Sequence, residues 1–104
     1  MKSPKSLFEI SHVDSERLKL VGELSFVSVQ EAMKKGAKLF DFHVNKMVFD
    51  LAGITKADSA GLALLLEWLR LASLNGVDLH YVNLPRQLQA MAHVAGVDEI
   101  LVID

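Results

Sequence analysis

The residues best placed to do chemistry are Asp58 and Ser59, which stand just before the most apolar run of the chain, Gly61 to Leu66. A Ser or Asp at that position accepts a hydrogen bond from a free backbone N–H and caps the helix that follows. A Ser there also lies in the positive field of the helix N-terminus, so an added phosphoryl group would change the surface charge without breaking the helix. Structural cap and regulatory hydroxyl are both open readings. Other candidate chemistry fails on spacing. His12, His43, His80 and His93 show no metal-ligand pattern such as H-E-x-x-H. The stretch Gly53 to Gly61 holds Gly, Lys and Ser, but not in the order of a phosphate-binding loop. Asp58-Ser59-Ala60-Gly61 is not a G-x-S-x-G nucleophile elbow, because position 57 is Ala. The sequence has no cysteine, so thiolate catalysis, disulfides and Cys-based zinc sites are excluded. The expectation is a protein that binds partners, with no catalytic residue, no metal and no cofactor.

Composition narrows the partners. With 51% hydrophobic and 23% charged residues, 104 residues suit one globular domain spanning 1–104. A net charge of −2 gives no general attraction to nucleic acid or anionic lipid. The most apolar run stops at Glu67, far short of the roughly 20 residues that span a bilayer. A cytoplasmic protein without direct membrane insertion is expected, with any membrane link made through a partner.

The elements that must position Asp58 and Ser59 follow from patterning. Ser6 to Ser11 and the alternating stretch from Arg17, closed by Gly22, read as two strands of a hairpin. Ser28 and Glu31 stand at capping-box spacing and open a helix whose Val29, Ala32, Met33, Ala37 and Phe40 would face the core. Lys34, Lys35 and Lys38 would lie on its solvated side. Met47 to Leu51 reads as a buried central strand, interrupted by Asp50, and Ala52 to Ala57 as a loop. A strong helix runs from about Ser59 to Leu74 and stops at Asn75-Gly76. Val77 to Val82 is a further strand, Pro85 to Ala95 a third helix closed by Gly96, and Ile100 to Ile103 a last short strand. The order is ββαβαβα with a short tail: an α/β fold with a mixed sheet covered by helices.

The long helix carries more apolar surface than one contact needs. Leu62, Leu65, Leu66 and Leu69 share one face, suited to the sheet, while Leu64, Trp68 and Leu71 form a second stripe. That stripe either packs on a neighbouring helix or forms an exposed docking patch with Trp68 as anchor.

Several segments together resemble a STAS domain, the fold of sulfate-transporter tails and anti-sigma-factor antagonists. They are Gly22-Glu23-Leu24, Val48-Phe49-Asp50-Leu51, Asp58-Ser59-Ala60-Gly61-Leu62 and Ala95-Gly96-Val97-Asp98-Glu99-Ile100. Within the family, Ser59 to Arg70 is most similar to the small cytoplasmic subunit of the Mla (maintenance of lipid asymmetry) phospholipid ABC transporter. The resemblance implies a non-enzymatic regulatory or assembly subunit. It would bind the transporter's ATPase and, through it, the permease, and sit peripherally at the inner membrane. Asp58, Ser59, Ala60, Leu62, Leu64 and Trp68 are the expected contact residues. The alternative that the resemblance implies is an anti-sigma-factor antagonist switched by phosphorylation of Ser59. Two departures, Ala60 where Ser or Thr is usual and Ser25 where Asp is common, favour the transporter branch.

Overall fold

A computed structural model describes residues 6–41 and 44–101. Strand β1 (Phe8–His12) turns back through residues 13–16 into β2 (Arg17–Leu24). Helix α1 (Val29–Ala37) and a 3₁₀ turn (Lys38–Asp41) lead to β3 (Lys46–Ala57), helix α2 (Ser59–Leu74) and β4 (Asp78–Val82). Helices α3 (Arg86–Ala95) and α4 (Asp98–Leu101) follow. The sheet order is β1-β2-β3-β4, with β1 antiparallel to β2 and the remaining pairs parallel. This is the α/β fold with a mixed sheet covered by helices that the sequence predicts. Both parallel crossovers step the same way across the sheet, so the right-handed rule puts α1 and α2 on one face. Burial agrees: Leu18, Leu20, Met47, Phe49, Leu79 and Tyr81 point into the core, whereas Arg17, Lys19, Lys46 and Asp78 on the other face are exposed.

Several elements differ from their sequence reading. Gly22 does not end β2, which continues through a register irregularity to Leu24. Ala52 to Ala57 is not a loop but the second half of a 12-residue β3. Its opening irregularity, where Lys19 and Val21 pair with Asp50 and Gly53, hid the strand's alternation. Asp50 belongs to that irregularity. Its Oδ1 accepts from Ala52 N (2.9 Å) and from Asn83 Nδ2 (3.0 Å), fastening β3 to the end of β4. Ile100 and Leu101 lie in or end a helical turn rather than a strand, and residues 102 and 103 are outside the described residues, as is His43. The capping box does not form. Glu31 instead accepts from Leu7 N (3.2 Å) and pairs with Lys35 (2.8 Å). Lys35 also donates to the Phe8 carbonyl (2.7 Å), so it fastens α1 to β1 rather than joining Lys34 and Lys38 in water. Met33 is largely exposed, and Gly36, Leu39 and Phe40 carry the core contact of this segment with Ala32.

The helix α2 explains its own breadth. Its core stripe is Gly61, Leu64, Leu65, Trp68 and Ala72, spaced as one helical face. Leu66 and Leu69 flank it on one side and Leu71 on the other, all half-buried, because α2 packs on the sheet, on α1 and on α3. Trp68 is fully buried. Its ring lies edge-on to Phe49 (centroids 5.5 Å apart) and beside Phe8 (6.0 Å). The docking reading of Leu64 and Trp68 is therefore corrected: at 2% and 0% exposure neither is available to a partner. Across the ring stands Gly36, where any Cβ would collide with the indole. A glycine costs helix stability, yet here only a glycine leaves room for the largest side chain of the core.

Replacing Trp68 by Ala removes a whole buried ring and should cost about 3–5 kcal/mol. Gly36→Ala should cost about 1–3 kcal/mol by overpacking the same place. Urea denaturation measures both. A Trp68→Ala protein as stable as its parent would return the ring to the surface.

Candidate partner-docking site

The register of β2 and β3 puts Leu24 beside Ala57, so both strands end together. The residue after Ala57 is Asp58, held extended (φ −140°, ψ −168°) at the N-cap of α2. Its N–H donates to the Leu24 carbonyl (3.2 Å). Its Oδ1 accepts from Ala60 N (2.9 Å) and Gly61 N (3.4 Å) at the start of the helix. Its Oδ2 accepts from Phe26 N (3.0 Å), in the loop that follows β2. One carboxylate thus bridges two segments that are 32 residues apart. The Phe26 N–H contributes most to holding its pKa below the ordinary carboxylate value, helped by the Ala60 and Gly61 N–H groups and opposed by desolvation. Gly61 completes the seat: the Leu24 carbonyl occupies the place its Cβ would take. The D-S-A-G-L segment is therefore a structural joint, with Asp as the clasp and Gly as the gap.

Ser59 is left outside this joint. It stands exposed on the first turn of α2, and the cap is made by Asp58. Beside it an open apolar groove of about 390 Å³ runs between α2 and α3, lined by Ser59, Leu62, Ala90, Met91, Val94 and Ala95. Of the expected contact residues, Asp58, Ser59, Ala60 and Leu62 gather at this end of the molecule. Leu64 and Trp68 do not, since they lie under the helix. Reading the sequence missed the α3 wall of the groove, Met91 and Val94, because nothing in a single helix pattern says which helix will lie beside it. It also missed Phe26 and Val27, exposed at 80% and 70%. The signal for these was present: an apolar pair between two serines, in a loop where polar residues would serve. Of the described histidines, His12 ends β1, where it pairs with Leu18 at the opposite end of β2 from Leu24. His80 faces Asp78 (3.0 Å), and His93 faces Asp98 (3.2 Å) across the α3–α4 turn.

Among known proteins, the family model described as "Mlab, STAS domain" matches residues 9–103. No curated protein matches the sequence significantly. Solved structures similar to this chain include an anti-sigma factor antagonist from Mycobacterium paratuberculosis, with a TM-score of 0.76 and 15% identity over 92% of this chain and 82% of that one. The anti-sigma factor antagonist SpoIIAA in its unphosphorylated form gives 0.71 and 17% over 93% and 87%. The structure of SLC26A9 gives 0.69 and 16% over 81% of this chain but only 16% of that one. At these identities the likeness is one of fold.

The clasp has an acid signature. A carboxyl whose folded pKa lies below its unfolded value, near 3.9, adds stability that is whole above that value. The contribution is lost as pH falls through the folded pKa. Asp14 and Asp50 are shifted the same way, Asp14 chiefly by the Arg17 N–H; at Asp50 desolvation, the largest single effect, is outweighed by the Asn83 and Ala52 hydrogen bonds together with the Lys19 and Arg17 charges. Asp58→Asn should therefore be less stable at pH 7 and lose less on acidification, giving a shallower but not flat acid limb. Denaturation midpoints from pH 7 to pH 2 measure this; parallel acid limbs would show that the Asp58 carboxylate does not contribute.

Proposed function

The chain belongs to the STAS domain family, and from that premise we propose that it is a non-enzymatic subunit that docks on the ATPase of a phospholipid-transporting ABC complex. It would support the assembly and activity of that ATPase, and its place at the inner membrane would come through the complex, by way of the permease. The observation that carries the docking site is Ser59. Asp58 already caps α2, so the exposed Ser59 hydroxyl has no structural duty, and it borders an apolar groove open to solvent. An exposed polar group on the rim of an apolar hollow is the arrangement of a partner-binding surface. The match to the "Mlab, STAS domain" model over residues 9–103 supports the transporter branch. No helix among the described residues is long and apolar enough to cross a membrane, in keeping with a link made through a partner.

The phosphorylation reading has an observation of its own. The Ser59 hydroxyl is accessible at a helix N-terminus, and the fold is shared with SpoIIAA, which has been solved in both phosphorylated and unphosphorylated forms. An anti-sigma-factor antagonist would use the same surface, with the phosphate as its off-switch.

With Ser59 outside the cap, Ser59→Ala should change stability by no more than about 0.5 kcal/mol. Ser59→Glu should fold normally, since charge is tolerated there, but bind the ATPase at least about tenfold more weakly. Calorimetric titration of the purified ATPase subunit measures this. Equal affinity of the Glu variant would remove Ser59 from the interface. Phosphate on Ser59 after incubation with an anti-sigma-factor kinase and ATP, in place of ATPase binding, would favour the switch.

A further inference from the structure

Two apolar side chains, Phe26 and Val27, stand out at 80% and 70% exposure in the short turn between β2 and α1. A chain reversal alone calls for polar residues and glycine, which water solvates. Single exposed apolar residues such as Leu74 and Ile100 are ordinary on helix surfaces. An adjacent pair held on a fixed loop is different, and this loop is fixed from three directions. The Ser28 hydroxyl donates to the Glu23 carbonyl (2.7 Å) and accepts from Ser25 N (3.0 Å). The Ser25 hydroxyl donates to Glu23 Oε1 (3.1 Å). Both serines are buried to 1% exposure beneath the exposed pair. From the far side, Asp58 Oδ2 accepts from Phe26 N (3.0 Å). The hydroxyls that could have capped α1 are spent on shaping this turn.

We propose that Phe26 and Val27 form a rigid apolar prong that enters an apolar, basic-rimmed socket on the protein partner, with Asp58 as the positioning residue. The proposal rests on the docking reading above and adds to it the element that gives specificity. An aromatic side chain on a loop ordered beforehand loses little freedom on binding, which is how anchor residues gain their weight. The border of the prong decides the kind of socket. Among the described residues, the carboxylates of Glu23 and Asp58 and the ammonium of Lys56, which lies close enough to lower the Asp58 pKa, stand at this border. That balance repels an anionic bilayer and suits a cationic rim. The same carboxylate caps α2 beside Ser59, so a negative charge placed on Ser59 repels the Asp58 carboxylate and loosens its hold on Phe26 N, which weakens binding despite the cationic rim.

The test is the affinity of the full chain for the purified ATPase subunit of its phospholipid transporter. Phe26→Ser should weaken binding about 30-fold or more. Val27→Ser should weaken it less, and Leu74→Ser, at the other end of α2, should leave it unchanged. All three should melt within about 3 °C of the parent, since the side chains are exposed. Asp58→Asn, which can keep the cap but loses an acceptor for Phe26 N, should speed hydrogen exchange at the Phe26 amide and weaken binding. Unchanged exchange there would remove Asp58 as the positioning residue. Undiminished binding by Phe26→Ser, with binding lost on Val94→Asp in the groove, would overturn the prong and leave the docking reading standing. Failure of the unaltered chain to bind the ATPase would overturn both. Binding to vesicles of phosphatidylglycerol and phosphatidylethanolamine that Phe26→Ser abolishes would overturn the protein socket in favour of a lipid surface.

Discussion

The carboxylate of Asp58 is the interaction on which this end of the molecule depends. It fills the unpaired N–H groups at the start of α2 and, with its second oxygen, holds the loop that leaves β2. A helix N-terminus leaves four donors without intrahelical partners, and a sharp loop leaves others. One anion, placed where two parallel strands end in register, serves both. The joint needs a carboxylate because the Phe26 N–H on one side and the Ala60 and Gly61 N–H groups on the other must be accepted at once in different directions. It needs Gly61 because the Leu24 carbonyl lies where a side chain would stand. Substituting either residue would move the helix relative to the loop, and with it the surface that Ser59 and Phe26 share.

The second constraint is volume. Helix α2 is the middle helix of the layer and meets the sheet below and a helix on either side, so its apolar arc is wide for packing reasons alone. Trp68 fills the place where α1, α2 and the sheet converge, and Gly36 is the concession α1 makes to it. Among the described residues its indole N–H finds no hydrogen-bond partner. A buried donor left unpaired is costly, so the ring is kept for its shape and area. Tyr81, by contrast, reaches the Leu65 carbonyl with its hydroxyl (2.7 Å) and locks β4 to α2.

Much of this was legible in the sequence, and what was not has physical reasons. The element order, the helix start at Ser59, the stop at Asn75-Gly76 and the left-handed Gly96 (φ 73°) all follow from local patterns, because local hydrogen bonding decides them. The second half of β3 was read as a loop because its irregular register breaks the period of two on which strand reading relies. Trp68 was left between core and surface because a helix wheel gives the width of an apolar arc but not how many neighbours share it. Ser28 and Glu31 had the spacing of a capping box, yet each found a partner distant in sequence or across the turn, Glu31 at Leu7 and Ser28 at Glu23. Spacing states which contacts are possible; tertiary packing selects among them.

The location of the candidate site follows from topology more than from any single residue. In sheets built from parallel strands, loops at the carboxyl ends of the strands gather where the connections cross over, and binding surfaces form there. Here the carboxyl ends of β2 and β3 are neighbours through the pairing of Leu24 with Ala57. One end delivers Phe26 and Val27; the other delivers Asp58 and Ser59. The opposite face of the sheet carries Arg17, Lys19, Lys46 and Asp78 in mixed sign, with Val21, Val48 and Val82 among them. The apolar exposure beside Asp58 falls on a loop whose backbone is held by hydrogen bonds. A loop under three sets of hydrogen bonds, two of them from buried serines, has given up the freedom that solvent-facing loops ordinarily keep. That loss of entropy opposes folding. It is offset where the ordered shape is put to use, and the docking of a partner at this end, as proposed above, would be such a use.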